Sequence, residues 1–224
     1  DHFQQASTNY DCQFLIKFKA EGQFEWVQKY IGNNERIFGI SLDQFENGNF
    51  VLGGSINPNG NGDFDRDHLV ILTDLLGNEI WREQYGDVEG EGDPSVQFLS
   101  DGNILLVGPI SKITSPVAGH NFLTKINSEN GDVLWEYRFL SLSATIRSLY
   151  TSLELDDGSL VAAGLIERPD SSGTFGVHHG MICKLTSEGD SLWVRKYAWD
   201  DENFIGGFFR DMTTTPEGGF ICTG

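Results

Sequence analysis

The sequence predicts an all-β fold in which one four-stranded antiparallel module is written about four times, and three observations carry that prediction. First, Trp26, Trp81, Trp135 and Trp193 recur at intervals of 55, 54 and 58 residues, and each follows a glycine (Gly22, Gly77, Gly131, Gly189) by four positions. Second, Gly48, Gly102, Gly158 and Gly218 open apolar runs that close at Gly53, Gly108, Gly164 and Gly224, with closing intervals of 55, 56 and 60 residues. Third, those runs are too short for helices and are bounded by turn residues, as buried strands are.

The second unit shows how each element is justified. Asp93 to Ser100 reads as a short first strand, Asp101-Gly102 as a hairpin turn, and Asn103 to Gly108 as an apolar second strand buried inside the sheet. Asn121 to Ile126 is the third strand, Ser128 to Gly131 the next turn, and Val133 to Phe139 the fourth strand. Tyr30, Tyr85, Phe139 and Tyr197 each fall four residues after a tryptophan, and positions i and i+4 of a strand share a face. Gln28, Glu83 and Arg195 lie between them on that face, which suits a solvated outer strand better than a helix.

A succession of four-stranded antiparallel sheets that leaves only short, protected edges is the design of a β-propeller. The predicted layout is an N-terminal extension at 1–10, a strand pair at 11–31, blades at about 35–86, 92–140 and 146–198, and a strand pair at 208–224. The two pairs sum to one sheet, giving four blade-equivalents. They either join to close a ring or belong to a segment of a larger propeller, and the stop in mid-motif at Gly224 suits a segment.

Composition narrows the partners. A net charge of -18 opposes phosphate backbones and anionic membranes, because affinity for nucleic acid comes from Lys and Arg displacing counterions. No apolar stretch approaches the ~20 residues of a membrane-spanning helix, so membrane insertion is not expected. The first residues do not read as a signal peptide, so any export signal is expected to lie outside this sequence or to have been removed. Abundant glycine, with Asn and Asp at the turns, leans toward secreted acidic β-proteins.

The phrases Phe122 to Trp135, Trp193 to Tyr197 and Pro216 to Gly224, with Tyr85-Gly86 and Asp101-Gly102-Asn103, resemble a blade repeat of secreted bacterial β-propeller-like proteins. Such proteins are often type IX secretion substrates. The same phrases are similar, more distantly, to the tryptophan-docking repeat of quinoprotein propellers. The resemblance covers almost everything from residue 11 onward. It implies a propeller, a secreted or cell-surface address, and tryptophans packed between blades, with no family-wide activity. Tyr30-Ile31-Gly32 and Phe139-Leu140-Ser141 depart from its usual Tyr-Gly-Gly.

Several residue groups are candidate sites. Asn57, Asn59, Asn61, Asp63 and Asp65 place oxygen donors at alternate positions with Gly62 sixth, as calcium loops do. Asn replaces Asp at the first three positions, and His68 stands where a bidentate Glu belongs, so an exposed turn explains the loop equally in kind. Aligning the third strands on Lys17, Thr73, Lys125 and Lys184 puts Cys12, His68, His120 and His179 in one column. Sheets hold such positions apart, so hydrogen bonding within each blade is expected there rather than a shared metal.

Of the three cysteines, Cys183 reads as core, whereas Cys12 and Cys222 would lie on adjacent strands of a closed ring and could form a disulfide. Trp199, outside the repeat, is the candidate surface contact. The acidic stretches 87–93 and 200–202 could hold a pair of catalytic carboxylates, but read more simply as solvated loops. No nucleophile elbow, zinc-protease helix or phosphate loop is present in the sequence. The expectation is a non-enzymatic binding or structural module with an unidentified protein or glycan ligand and no cofactor beyond calcium. The alternative is an extracellular enzyme, either a carboxylate-dependent hydrolase or lyase or a quinoprotein-like oxidoreductase.

Overall fold

A computed structural model of the 224-residue chain describes residues 11–32, 35–57, 66–86, 92–110, 120–138, 147–169, 175–197 and 207–224. All its regular structure there is β. Strands β1 (Gln13–Phe18) and β2 (Phe24–Tyr30) form a two-stranded sheet. Next come β3 (Arg36–Gln44), β4 (Phe50–Asn57), β5 (Asp67–Thr73) and β6 (Glu79–Tyr85), then β7 (Ser95–Phe98), β8 (Ile104–Ile110), β9 (His120–Ile126) and β10 (Val133–Arg138). The third set is β11 (Arg147–Glu154), β12 (Leu160–Pro169), β13 (Phe175–Leu185) and β14 (Ser191–Tyr197), and the chain finishes with β15 (Asp211–Thr214) and β16 (Phe220–Thr223). Each set of four is an antiparallel meander in sequence order, and β15 pairs with β16 alone.

Tight turns fix these registers. Gly22, Gly77, Gly131 and Gly189 before the fourth strands, and Gly48, Gly102, Gly158 and Gly218 before the second strands, all have φ between 75° and 92°. That left-handed region is one that glycine enters without a Cβ clash. The preceding Asn or Asp completes several of the turns: Asn47, Asp101 and Asp157 each accept a hydrogen bond from the backbone N–H two residues on.

In the three complete sheets the second and third strands are apolar through their middles, because both faces there are covered. Leu52, Leu69 and Ile71 point into one core, shared with Leu15 and Tyr30 of the preceding sheet, while Val51, Val70 and Leu72 point into another, shared with Val96, Ile104 and Ile126 of the following sheet. The five sheets are thus stacked in sequence through four cores, and each core receives one repeat tryptophan: Trp26, Trp81, Trp135 or Trp193. First strands adjoin one another, β3 beside β7, β7 beside β11 and β11 beside β15.

The register corrects two columns read from sequence. Lys17, Leu72, Lys125 and Lys184 all face the tryptophan of the adjacent strand, so Leu72, not Thr73, is the equivalent of the lysines. His68 therefore pairs with Tyr85 and matches Gln13 and Gly180, one position away from the column of Cys12 and His179. A one-residue offset puts positions on opposite faces of a sheet, so His68 leaves the column, which keeps Cys12, His120 and His179. Likewise the glycine equivalent to Gly108, Gly164 and Gly224 is Gly54, not Gly53, because Phe50, Ile104, Leu160 and Phe220 are equivalent second-strand positions.

Candidate functional site

Most of each module is committed to stacking one sheet on the next. Trp81 Nε1 donates to Ser128 O at 2.9 Å and Tyr85 Oη donates to Gly131 O at 2.7 Å, so two side chains of β6 grip the turn between β9 and β10. Tyr30 Oη donates to Gly77 O at 2.8 Å, and Trp135 Nε1 donates to Ser187 O at 3.1 Å, at the equivalent turns on either side. A Cβ on Gly77, Gly131 or Gly189 would stand within 3.0 Å of a side chain of the preceding fourth strand, which at Gly77 and Gly189 includes the indole. Burial raises the Tyr30 hydroxyl to about 12 and pushes Tyr85 higher still, so both remain protonated donors.

Residues that depart from the repeat gather elsewhere, on the first strands. In β3 the register shifts around Ile40 and in β11 around Tyr150, each a bulge of one extra residue. The bulge drives the carbonyl before it against the second strand: a Cβ on Gly54 would lie 2.2 Å from Phe38 O, on Gly164 1.8 Å from Ser148 O, and on Gly224 1.6 Å from Phe208 O. That close approach explains Gly54, Gly164 and Gly224, whereas a Cβ on Gly108 would instead lie 2.5 Å from the His68 ring. The bulge column holds Ile40, Pro94, Tyr150 and Arg210 in successive modules, four unlike residues in a frame otherwise repeated.

Around Tyr150 and Arg210 the departures form a shelf. The Arg210 guanidinium lies 4.4 Å from the Tyr150 ring centre and 4.7 Å from that of Phe208. The Tyr150 and Phe208 rings are 5.9 Å apart, and His178 meets Phe208 edge-on at 6.0 Å. Gly207 N donates to His178 O and Phe209 N to Gly164 O, both at 3.2 Å, which pins this segment onto β12 and β13. Arg210 is exposed and makes no ion pair among the described residues. A guanidinium flat on aromatic rings keeps its edge donors free for a planar oxyanion.

A second arginine group sits on β3. Arg36 and Arg66 approach the Phe38 ring at 5.2 and 4.6 Å, but Arg36 is held by Asp11 at 2.6 Å and Arg66 by Asp93 at 3.9 Å. Arg36 donates two hydrogen bonds to Asp11, and Asp93 pairs with Arg66 by charge alone, beyond hydrogen-bond distance.

The sequence-derived sites fare as follows. Asn57 is buried at the end of β4, whereas Asn59, Asn61, Asp63, Asp65, Trp199 and the stretches 87–91 and 200–202 lie outside the described residues. No group of three or more His, Cys, Asp or Glu that could hold a metal occurs among the described residues. Cys12, Cys183 and Cys222 are free thiols. The Cys12–Cys222 disulfide is corrected by the register as well: Cys222 is equivalent to Leu52, whose partner Ile71 is equivalent to Ile16. Cys12 is four residues from Ile16, about 13 Å along a strand, against the 4.4–6.8 Å a disulfide spans. Burial pushes the Cys183 thiol up to about 12, an inert core group.

The shelf escaped sequence reading because its residues belong to no repeat phrase and the bulges break the count along the first strands. The signal present was a negative one: Tyr150 and Arg210 stand where the other modules carry Ile40 and Pro94.

No protein-family model and no curated protein sequence matches the chain. Among solved structures, the chain is similar to the Hadza microbial sialidase Hz136 at 14% identity, over 71% of this chain and 37% of the sialidase, with a TM-score of 0.52. It also aligns with MPT-4, a mannose phosphorylase from Leishmania mexicana, at 11% identity over 92% of this chain and 68% of that one, with a TM-score of 0.49. The chain spans about 37% of the sialidase's length, and at this identity the likeness is one of fold alone, an all-β, β-propeller-like stack of antiparallel sheets.

Proposed function

We propose that this chain is a β-propeller, or a segment of one, acting as a non-enzymatic binding or structural module of a secreted or cell-surface protein. Its stacked sheets are blades, and its ligand is a protein or glycan that presents a carboxylate to Arg210. One observation carries the reading: residues that obey the repeat are used up in joining sheets, whereas those that break it converge on the Tyr150–Phe208–Arg210 shelf. The sheet-to-sheet order, with first strands adjoining and tryptophans gripping the next turn, supports the propeller. In a chain of net charge -18, an arginine with no acidic partner among the described residues favours an anion that the rest of the surface repels.

The aromatic rings supply an apolar face for a sugar ring or a side chain, and the guanidinium edge supplies paired donors for the carboxylate. No nucleophile with an adjacent base is needed for this role. The test is a glycan and acidic-peptide array, followed by calorimetry of the best binder with the wild type and with Arg210→Ala. Carboxylate-bearing ligands are expected to bind and the variant to bind them at least roughly tenfold more weakly, the loss of one charge-assisted contact. Equal binding of neutral ligands, an unaffected Arg210→Ala variant, or conversion of the ligand to product would each overturn the proposal.

A further inference from the structure

We propose that the junction between the β3–β6 sheet and the β7–β10 sheet is a binding site for the side chain of a lysine presented by a protein partner. The inference does not depend on the Arg210 reading and concerns a different part of the chain.

The following junction supplies the pattern. There Lys125 of β9 is 6% exposed, and its ammonium lies 2.7 Å from the Asp101 carboxylate and 3.2 Å from Ser187 O, which belongs to the next sheet. Ser187 O also accepts from Trp135 Nε1 at 3.1 Å. One carbonyl with two lone pairs thus serves an indole and an ammonium together. Lys184 and Asp157 repeat the ion pair one sheet further on, at 3.3 Å.

In the β3–β6 sheet both members of that pair are replaced. The register puts Leu72 in the place of Lys125, and Asn47 precedes Gly48 as Asp101 precedes Gly102. Asn47 keeps the turn, accepting from Asn49 N–H at 2.9 Å, without a carboxylate that would have lost its counter-ion. The carbonyl across the gap is retained: Ser128 O accepts from Trp81 Nε1 at 2.9 Å, as Ser187 O does from Trp135. Leu72 has no second donor to offer it.

The space that a lysine fills in the next junction is open here. A cleft of about 260 Å³ lies between the two sheets, its lining including Phe45, Leu72, Ile80, Phe98, Ser128 and Glu129. The Phe45 and Phe98 rings are 4.9 Å apart, at positions where the following junction carries Leu99 and Glu154. Glu154 is engaged by the Ser100 amide and hydroxyl at 2.6 and 2.8 Å, so a polar wall there has become an aromatic one here.

These walls match one kind of occupant. Leu72, Ile80 and the aromatic rings suit a methylene stem, and ring faces also attract a cation. The volume is below the roughly 300–1,000 Å³ of sites for drug-sized ligands, which fits a single side chain better than an oligosaccharide. Glu129 is exposed at the rim, so its carboxylate stays solvated when the cleft is empty and supplies countercharge when it is filled. A net charge of -18 draws cations toward this surface. An incoming lysine sets its ammonium at Ser128 O and Glu129 and its stem over Leu72, making from outside the contact that Lys125 makes from within.

The test is a titration of the isotope-labelled protein with N-acetyl-lysine methylamide, followed by amide chemical shifts. Leu72, Ile80, Gly102, Ser128 and Glu129 are expected to shift together and saturate, with a Kd of roughly millimolar order, as suits one side chain. The Nε-acetylated probe, which keeps the stem and loses the charge, is expected to bind roughly tenfold more weakly, and Glu129→Gln to weaken the charged probe by about threefold or more. Leu72→Lys combined with Asn47→Asp rebuilds the internal pair and is expected to abolish the shifts, because its own ammonium then occupies Ser128 O. Glu129→Gln lies on the surface and keeps the test decisive should the rebuilt variant misfold. Equal binding of the acetylated probe would make the cleft a plain apolar groove and overturn the proposal. So would the absence of saturable shifts at these amides, or an undiminished response in Glu129→Gln or in a folded rebuilt variant. Binding of n-butylammonium without binding of the capped lysine would mark a site for free amines and overturn the protein-partner assignment. Binding at Arg210 is read with carboxylate ligands, so neither result decides the other.

Discussion

Tyr85→Phe removes one oxygen atom from the grip between two sheets, and its effect can be worked from the structure. The hydroxyl donates to Gly131 O at 2.7 Å, and Gly131 is buried against Glu83, Tyr85 and Trp81. A neutral hydrogen bond contributes a net of about 0.5–1.5 kcal/mol, and stranding a buried carbonyl adds its desolvation penalty, for a total of about 1–3 kcal/mol. In a domain of this length each kcal/mol moves Tm by roughly 2–4 °C.

Urea unfolding gives the free energy, and hydrogen exchange at the turn between Asn127 and Asp132 shows whether the loss is local to this junction. Tyr197→Phe is the control, since its side chain is exposed and its hydroxyl makes no hydrogen bond among the described residues, its ring meeting Phe209 edge-on at 5.9 Å. It is expected to stay within about 0.5 kcal/mol of the wild type. Combined with Trp81→Phe, Tyr85→Phe is expected to show a coupling of about 0.5 kcal/mol or more, because both side chains hold one turn. A Tyr85→Phe protein no less stable than Tyr197→Phe would refute the claim that the turn is gripped by hydrogen bonds.

Two further outcomes test the frame. Gly164→Ala would put a methyl group 1.8 Å from Ser148 O; since backbone and not a flexible side chain must move, the loss is expected to reach about 3 kcal/mol, seen as a lower urea midpoint. Asp157 is lowered to about 2, first by hydrogen bonds from the Ser159 hydroxyl and amide and then by Lys184. A depressed folded value means its contribution is complete above the unfolded value, near 3.9, and is lost as pH falls from there toward about 2. The wild type should therefore lose more of its urea midpoint than Asp157→Asn over that window, and parallel curves would remove Asp157 from the account.

The repeat was legible because two kinds of residue are forced by backbone geometry wherever the module occurs. A left-handed turn requires glycine at Gly77 or Gly131, and the gap between sheets requires a large flat side chain at Trp81 or Trp135. The register of the β3–β6 sheet was harder: Leu72 has no charge to mark it as the equivalent of Lys125, and the neighbouring Thr73 resembles the lysines as little. A slip of one residue there drew His68 into the column of Cys12, His120 and His179, from which its pairing with Tyr85 removes it. The first strands were least legible, since a bulge at Ile40 or Tyr150 adds a residue without any compositional sign.

The amino-acid order by itself determined the class of fold, the period, the place of the turns and the identity of the four tryptophans, all of which follow from local backbone preferences and from the alternation of side chains along a strand. Tertiary structure decided what faces what. The grip of Tyr85 on Gly131, the first-strand carbonyls lying on Gly54, Gly164 and Gly224, and the assembly of Tyr150, Phe208 and Arg210 join residues from separate strands or separate sheets. Such contacts depend on how one sheet is set against the next, and that is fixed by packing across faces, which a linear pattern does not encode.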